Sequence, residues 1–300
     1  MRVFVTGSTG FIGLALVKEL ITAGHQVLGL CRSNDKAGAL AAAGAQVHRG
    51  SLEDLDSLRS GIARSDGVIH LAFNHDFSKF TANCEHDRQI IKALGAALAG
   101  SDRPLVVTSG TGMANTVPGQ PAREDGAVIT SDVIPRAASE EAVAAIAADG
   151  VNVSVVRLPQ VHDPVKQGLI TPMVEIILQK GVAAYVGDGR NRFPAVHVLE
   201  AARVYRLALE KGERGAKYHA VAEEGVATRD IVEVLARRLR VPVKSISPEE
   251  APAHFGWLAM FAGRDLPAAS ELTRRKLNWQ PRGPSLLEDL EQLQVGERVR

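Results

Sequence analysis

The chain has 300 residues, 45% hydrophobic, 23% charged and only 4% aromatic, which is the composition of an ordinary globular protein long enough to bury its own core. Its 35 Lys and Arg stand against 34 Asp and Glu, so the formal charge of +1 excludes a general polyanion binder of nucleic acid or anionic lipid. Two cysteines, Cys31 and Cys84, each in or beside an apolar segment, exclude a disulfide scaffold and read as core thiols of a reducing compartment.

The N-terminal Met1-Arg2-Val3-Phe4-Val5 is strand-like and breaks at Gly7, too short for a signal-peptide core. Charges or turn residues interrupt every apolar stretch before ~18 residues, so no membrane span and a cytoplasmic location are expected. Up to about residue 160, short β-branched runs alternate with Ala- and Leu-rich helical stretches. Strands are expected at 3–6, 26–31, 46–48, 68–71, 105–108 and 151–157, and helices at 10–23, 35–43, 55–63, ahead of Gly100, and at 137–149. Gly24, Gly44, Gly100 and Gly150 fall at the helix ends, where a left-handed cap favours glycine.

Beyond residue 160, prolines from Pro159 to Pro284 cut the chain into shorter pieces, with helices expected at 173–180, 197–211 and 228–239. Tyr218-His219-Ala220-Val221 reads as one more strand returning to the main sheet. The expected fold is therefore α/β: a doubly wound parallel Rossmann sheet over residues 1–160, with a smaller, interleaved C-terminal substrate lobe over 161–300 from which residues 197–222 return to the first domain.

The segment Thr6-Gly7-Ser8-Thr9-Gly10-Phe11-Ile12-Gly13 follows the first strand and opens the first helix. In that context Gly7 permits a tight turn, Gly10 lets the backbone approach a pyrophosphate and Gly13 lets helix and strand pack closely. The helix N-terminus adds free N–H donors. This predicts a dinucleotide site. An Asp or Glu about 20 residues beyond the loop would select NAD by binding the ribose hydroxyls. Cys31-Arg32-Ser33 stands there instead, and Arg32 with Ser33 suits a 2′-phosphate, so NADP is expected ahead of NAD.

Further segments occur in a telling order: Val68-Ile69-His70-Leu71-Ala72, Val106-Val107-Thr108-Ser109, Val155-Val156-Arg157-Leu158-Pro159, Gly187-Asp188-Gly189 and Leu277-Asn278-Trp279-Gln280-Pro281. Together with the glycine loop they resemble the extended short-chain dehydrogenase/reductases, the NAD-dependent epimerase/dehydratase family, over essentially the whole chain. The resemblance implies adenine contacts at Ser51 and Leu52, with Ser51 in place of the usual Asp. It also implies nicotinamide-ribose contacts at Leu71, Ala72 and Phe73, and nicotinamide contacts at Leu158 and Pro159.

It further implies a Tyr as acid/base with a Lys four residues on, but that pattern falls on Arg136-Ala137-Ala138-Ser139-Glu140, where both are missing. The chain thus resembles atypical members of the superfamily, and neither Arg136 nor Glu140 is expected to do the usual work. Ser109 and Thr111 are candidates for polarising a substrate oxygen, turn chemistry after a strand being the other reading. His75, in the loop Phe73-Asn74-His75-Asp76-Phe77-Ser78-Lys79-Phe80 at the carboxyl edge of the sheet, has a pKa suited to proton transfer, while a helix cap or solvated loop gives the same string. His162 is a second candidate. The resemblance implies that Arg190 and Arg192 lie where relatives bind an anionic part of the substrate, a solvated loop being the other reading. No metal site is expected, since Cys84-Glu85-His86 lacks a second cluster of ligands.

The expected activity is hydride transfer between NADP and a small carbonyl or alcohol through a proton relay without tyrosine. The alternative is a catalytically silent, NADP-binding regulatory protein. The expected partner is a small-molecule substrate, with a homodimer through sheet-flanking helices by analogy.

Overall fold

The computed structural model describes residues 1–114 and 117–294. Strands and helices alternate through β1 (Arg2–Thr6), α1 (Phe11–Thr22), β2 (Gln26–Cys31), α2 (Asn34–Ala42), β3 (Gln46–Arg49), α3 (Leu55–Ala63), β4 (Gly67–His70), α4 (Phe80–Leu98), β5 (Leu105–Gly110), α5 (Ala138–Ala148) and β6 (Val153–Leu158). There follow β7 (Gln160–His162), α6 (Ile170–Lys180), β8 (Ala183–Val186), β9 (Arg192–His197), α7 (Val198–Lys211), β10 (Lys217–His219), β11 (Glu223–Ala227), α8 (Thr228–Leu239) and β12 (Val243–Ile246), then short helices including Glu271–Leu277 and Leu286–Glu291. No helix among the described residues is long and apolar enough to cross a membrane.

Seven strands form one parallel sheet in the order β3-β2-β1-β4-β5-β6-β10, the doubly wound arrangement expected from the sequence. Both faces are covered, which is why its strands are apolar without alternation. Val3, Val5, Ile69, Val106 and Val156 pack against α1 and α7, while Phe4, Leu28, Val68, Leu105 and Val155 pack against α3, α4 and α5. Each such side chain contributes about 1.5–3 kcal/mol by leaving water.

The returning strand β10 pairs with β6, Tyr218 opposite Val156 and His219 opposite Arg157. Strand β6 begins at Val153 rather than 151 because the Val151 N–H closes α5 on the Ile146 carbonyl (3.0 Å), beside Gly150 at φ 92°. Helix α6 starts at Ile170, ahead of the expected 173, because Pro172 lies in its first turn, where its missing N–H has no partner to lose.

The remaining strands form two small sheets, β11-β9-β7 and β12-β8. They pack on α6 and α8 around Ile170, Met173, Ile177, Ile231, Leu235, Phe255 and Leu290. The motif at 277–281 places fully buried Trp279 in the core beside α1 and α7, its Nε1 donating to Glu200 at 3.0 Å.

Candidate active site

The carboxyl end of β1 turns at Gly7 (φ 69°), and a Cβ there would stand 2.8 Å from the Ala72 nitrogen. A Cβ on Gly13 would stand 2.0 Å from the Gly7 carbonyl oxygen, so only glycine lets α1 start this close to the strand. No side chain caps α1 at Gly10, and its first turn carries no acidic residue. The N–H groups of Phe11, Ile12 and Gly13 are thus left for an anion, and Thr9 flanks them. A dinucleotide pyrophosphate fits this cradle. Along the sheet edge, Arg32 is exposed beside half-buried Ser33 and makes no hydrogen bond among the described residues. Ser51, Leu52, Leu71, Ala72, Phe73, Leu158 and Pro159 are all half-buried at strand ends or just beyond them.

From this cradle a buried polar chain runs under the site. The Ala72 N–H donates to Thr6 Oγ1 (3.3 Å), Thr6 Oγ1 meets His70 Nδ1 (2.7 Å), and His70 Nε2 meets Asp87 Oδ1 (3.0 Å). An ionised Asp87 only accepts, so His70 Nε2 carries the proton between them. Burial works to raise the Asp87 pKa, but the His70 contact, then the Arg136 charge and the Ser139 hydroxyl, hold it well below the usual carboxylate range.

Arg136, at the position of the expected tyrosine, donates from Nη1 to Asp87 Oδ2 (2.8 Å) and Ser139, and from Nη2 to the Thr108 carbonyl (3.0 Å). Its guanidinium lies over the Phe73 ring, 4.2 Å from the centroid. His75 packs against the same ring at 5.3 Å. His75 lies exposed at the edge of this cluster, and partial desolvation by these neighbours, then the charges of Arg136 and Lys166, lower its pKa from the ordinary histidine value against the backbone bond at Phe73. Lys166 in turn lies 5.9 Å from the centroid of Phe11, at the start of α1. Three loops therefore bring His75, Arg136 and Lys166 around one corner of the cradle.

Residues 3–222 match the model of the NAD dependent epimerase/dehydratase family. The chain belongs to that family. It is 44% identical over 291 residues to an uncharacterized protein of Schizosaccharomyces pombe, covering 97% of this chain and 98% of the other. It is 30% identical over 228 residues to the 2-alkyl-3-oxoalkanoate reductase of Stenotrophomonas maltophilia, covering 72% of this chain and 67% of that one. Among solved structures it is similar to DesIV, a dTDP-glucose 4,6-dehydratase of Streptomyces venezuelae solved with NAD bound. The TM-score is 0.77 at 20% identity, over 97% of this chain and 95% of that one.

Against this epimerase/dehydratase background, Glu140 on α5 pairs with fully buried Arg157 of β6 through two bonds, Nε to Oε1 at 2.8 Å and Nη2 to Oε2 at 2.6 Å. Burial opposes the charge, but Arg157 and the neighbouring Ser109 hydroxyl keep the Glu140 pKa below its ordinary value. Arg157 also meets His219 Nε2 (3.2 Å), while His219 Nδ1 faces the Ala269 carbonyl (2.8 Å), which fixes a neutral ring with its proton on Nδ1. Burial, and then the Arg157 charge, accordingly bring the His219 pKa down to about 4. Glu140 is thus one half of a structural pair bracing α5 against β6.

The other candidates separate. Ser109 and Thr111 are buried, Ser109 beside Glu140 and Thr111 opening the turn Thr111–Met113. His162 is fully buried in β7, its Nδ1 2.6 Å from Asp289 and its ring 5.8 Å from that of His197. The Arg192 guanidinium is held by Asp265 at 2.9 and 2.7 Å and by the Gly119 carbonyl at 3.2 Å. Arg190 projects into solvent with its side chain 88% exposed, beside Asp188 at 3.6 Å. Neither arginine is placed as an unengaged cation inside a pocket.

Asp87 and Lys166 were absent from the sequence reading. Asp87 was recoverable: Cys84, Asp87, Ile91, Leu94 and Leu98 are all buried on one stripe of α4, and a carboxylate inside a stripe at helical spacing signals a buried polar partner.

Proposed function

We propose that this protein is an NADP-dependent oxidoreductase that moves a hydride between the nicotinamide and a small carbonyl compound or alcohol, with His75 in place of the usual tyrosine. The observation that carries this reading is the convergence of His75 and Arg136 on Phe73 at the carboxyl edge of the sheet, where ligands of open α/β folds bind. When bound, NADPH supplies the hydride to the carbonyl carbon. His75 delivers the proton to the carbonyl oxygen in reduction and removes it from the hydroxyl in oxidation. Arg136 cannot give up a proton near neutrality, but its fixed charge stabilises developing negative charge on that oxygen. Beneath them, the Thr6-His70-Asp87 chain keeps Arg136 in place.

Arg32 and Ser33 support NADP over NAD, because no carboxylate closes β2 and Arg32, near the Glu53 charge, makes no hydrogen bond among the described residues. The test is a fluorescence titration. NADPH should bind more tightly than NADH, and Arg32→Ala should weaken NADPH by about 1.5–3 kcal/mol while sparing NADH. Equal affinities for the two cofactors, or an Arg32→Ala protein that binds NADPH as before, would remove Arg32 from the site. The same reading takes a small molecule as partner, a cytoplasmic location and a homodimer through sheet-flanking helices.

A second reading, a silent NADP-binding regulator, is favoured by one observation: Asp87, Ser139 and the Thr108 carbonyl already engage the Arg136 guanidinium.

A further inference from the structure

The chain holds 8 Phe, 2 Trp and 3 Tyr, so aromatic side chains are scarce. Five of them form one ladder that begins at the proposed reaction corner. Phe73, under Arg136, lies 6.4 Å from Phe80; Phe80 stacks on Phe77 at 5.6 Å; and Phe77 stacks on Trp257 at 4.5 Å with 16° between the planes. Phe261 continues it at 6.5 Å from Trp257. His75 joins at its edge, 5.3 Å from Phe73 and 6.4 Å from Phe77. The stack ties the loop after β4 to the second lobe.

Trp257 is 44% exposed and Met260, three residues on, 52% exposed, so this end of the ladder presents apolar surface to solvent. The two arginines expected to grip an anionic substrate are placed differently, Arg192 on Asp265 and Arg190 out in solvent. A site with this wall, with the Arg192 guanidinium held by Asp265 and that of Arg190 out in solvent, suits a flat uncharged molecule better than a nucleotide sugar.

We propose that Trp257, backed by the Phe77 ring stacked beneath it, forms an aryl-binding wall, and that the substrate class is a flat, uncharged aromatic aldehyde or ketone whose oxygen faces His75 and Arg136. This rests on the oxidoreductase reading for its chemistry but not for its binding surface. Two measurements separate them. In calorimetry on NADPH-loaded protein, 4-nitrobenzyl alcohol, which cannot turn over with NADPH, should bind to wild type and to Trp257→Phe. Trp257→Ala should bind it at least tenfold more weakly with NADPH affinity unchanged. In kinetics, kcat/KM for benzaldehyde should exceed that for cyclohexanecarbaldehyde at least tenfold, and Trp257→Ala should bring the ratio near one. Failure of the alcohol to bind, undiminished binding in Trp257→Ala, or equal use of the two aldehydes overturns the aryl wall. Binding through Trp257 with neither aldehyde reduced would keep the wall and overturn the oxidoreductase reading instead.

Discussion

Replacing Glu140 by alanine should destabilise the protein by about 3–5 kcal/mol, because it leaves the fully buried Arg157 guanidinium charged and without its carboxylate. That is a large share of the roughly 5–15 kcal/mol that holds an ordinary domain folded. The resemblance read from the sequence implies a lysine at this position, so the comparison is informative. Glu140 instead touches Arg157. Under conditions where the variant is folded, its NADPH affinity should stay within a few-fold of wild type. Urea unfolding measures the first part and titration the second. The double replacement Glu140→Ala, Arg157→Met should cost less than the single Glu140→Ala, since it removes the stranded charge. A single variant within 1 kcal/mol of wild type would mean that water reaches the pair.

His75→Ala should lower kcat by about 10²–10⁴-fold while NADPH still binds, the usual effect of losing a positioned acid or base. The pH dependence has a definite sign. The His75 pKa is lowered from the ordinary histidine value because partial desolvation, Arg136 and Lys166 disfavour the imidazolium. Carbonyl reduction, which needs the protonated ring, should therefore slow as pH rises through that pKa. Alcohol oxidation, which needs the neutral ring, should speed up over the same interval and then level off. Full activity of the alanine variant, or profiles without this opposition, would move the proton transfer to another group.

The sheet was legible because its physics is local. A buried parallel strand must be apolar on both faces, a helix must stop, and glycine stops it cheaply: β2 and α3 match the expected bounds, and the helix-ending Gly24, Gly44, Gly100 and Gly150 all have positive φ. The small sheets β11-β9-β7 and β12-β8 were not expected, since β7 has only three residues, β8 and β12 four each, and β9 carries Pro194. Site chemistry was legible only where it is a backbone property, as at Gly7 and Gly13. What a side chain does depends on partners far along the chain. His162 is held by Asp289, 127 residues away, and Arg192 by Asp265, 73 residues away. Trp257 meets Phe77 across the two lobes, and no spacing announces such a contact.

Under the proposed function this site performs redox chemistry although Arg136 and Glu140 stand where the family resemblance implies a tyrosine and a lysine. The most direct test incubates the protein with NADPH deuterated on the transferable hydrogen and with benzaldehyde, and analyses the benzyl alcohol by mass spectrometry. One deuterium is expected on the carbinol carbon, formed by wild type and nearly abolished in His75→Ala. Tight NADPH binding with no deuterium passed to this or any other carbonyl compound would contradict it and leave a dinucleotide-binding regulator.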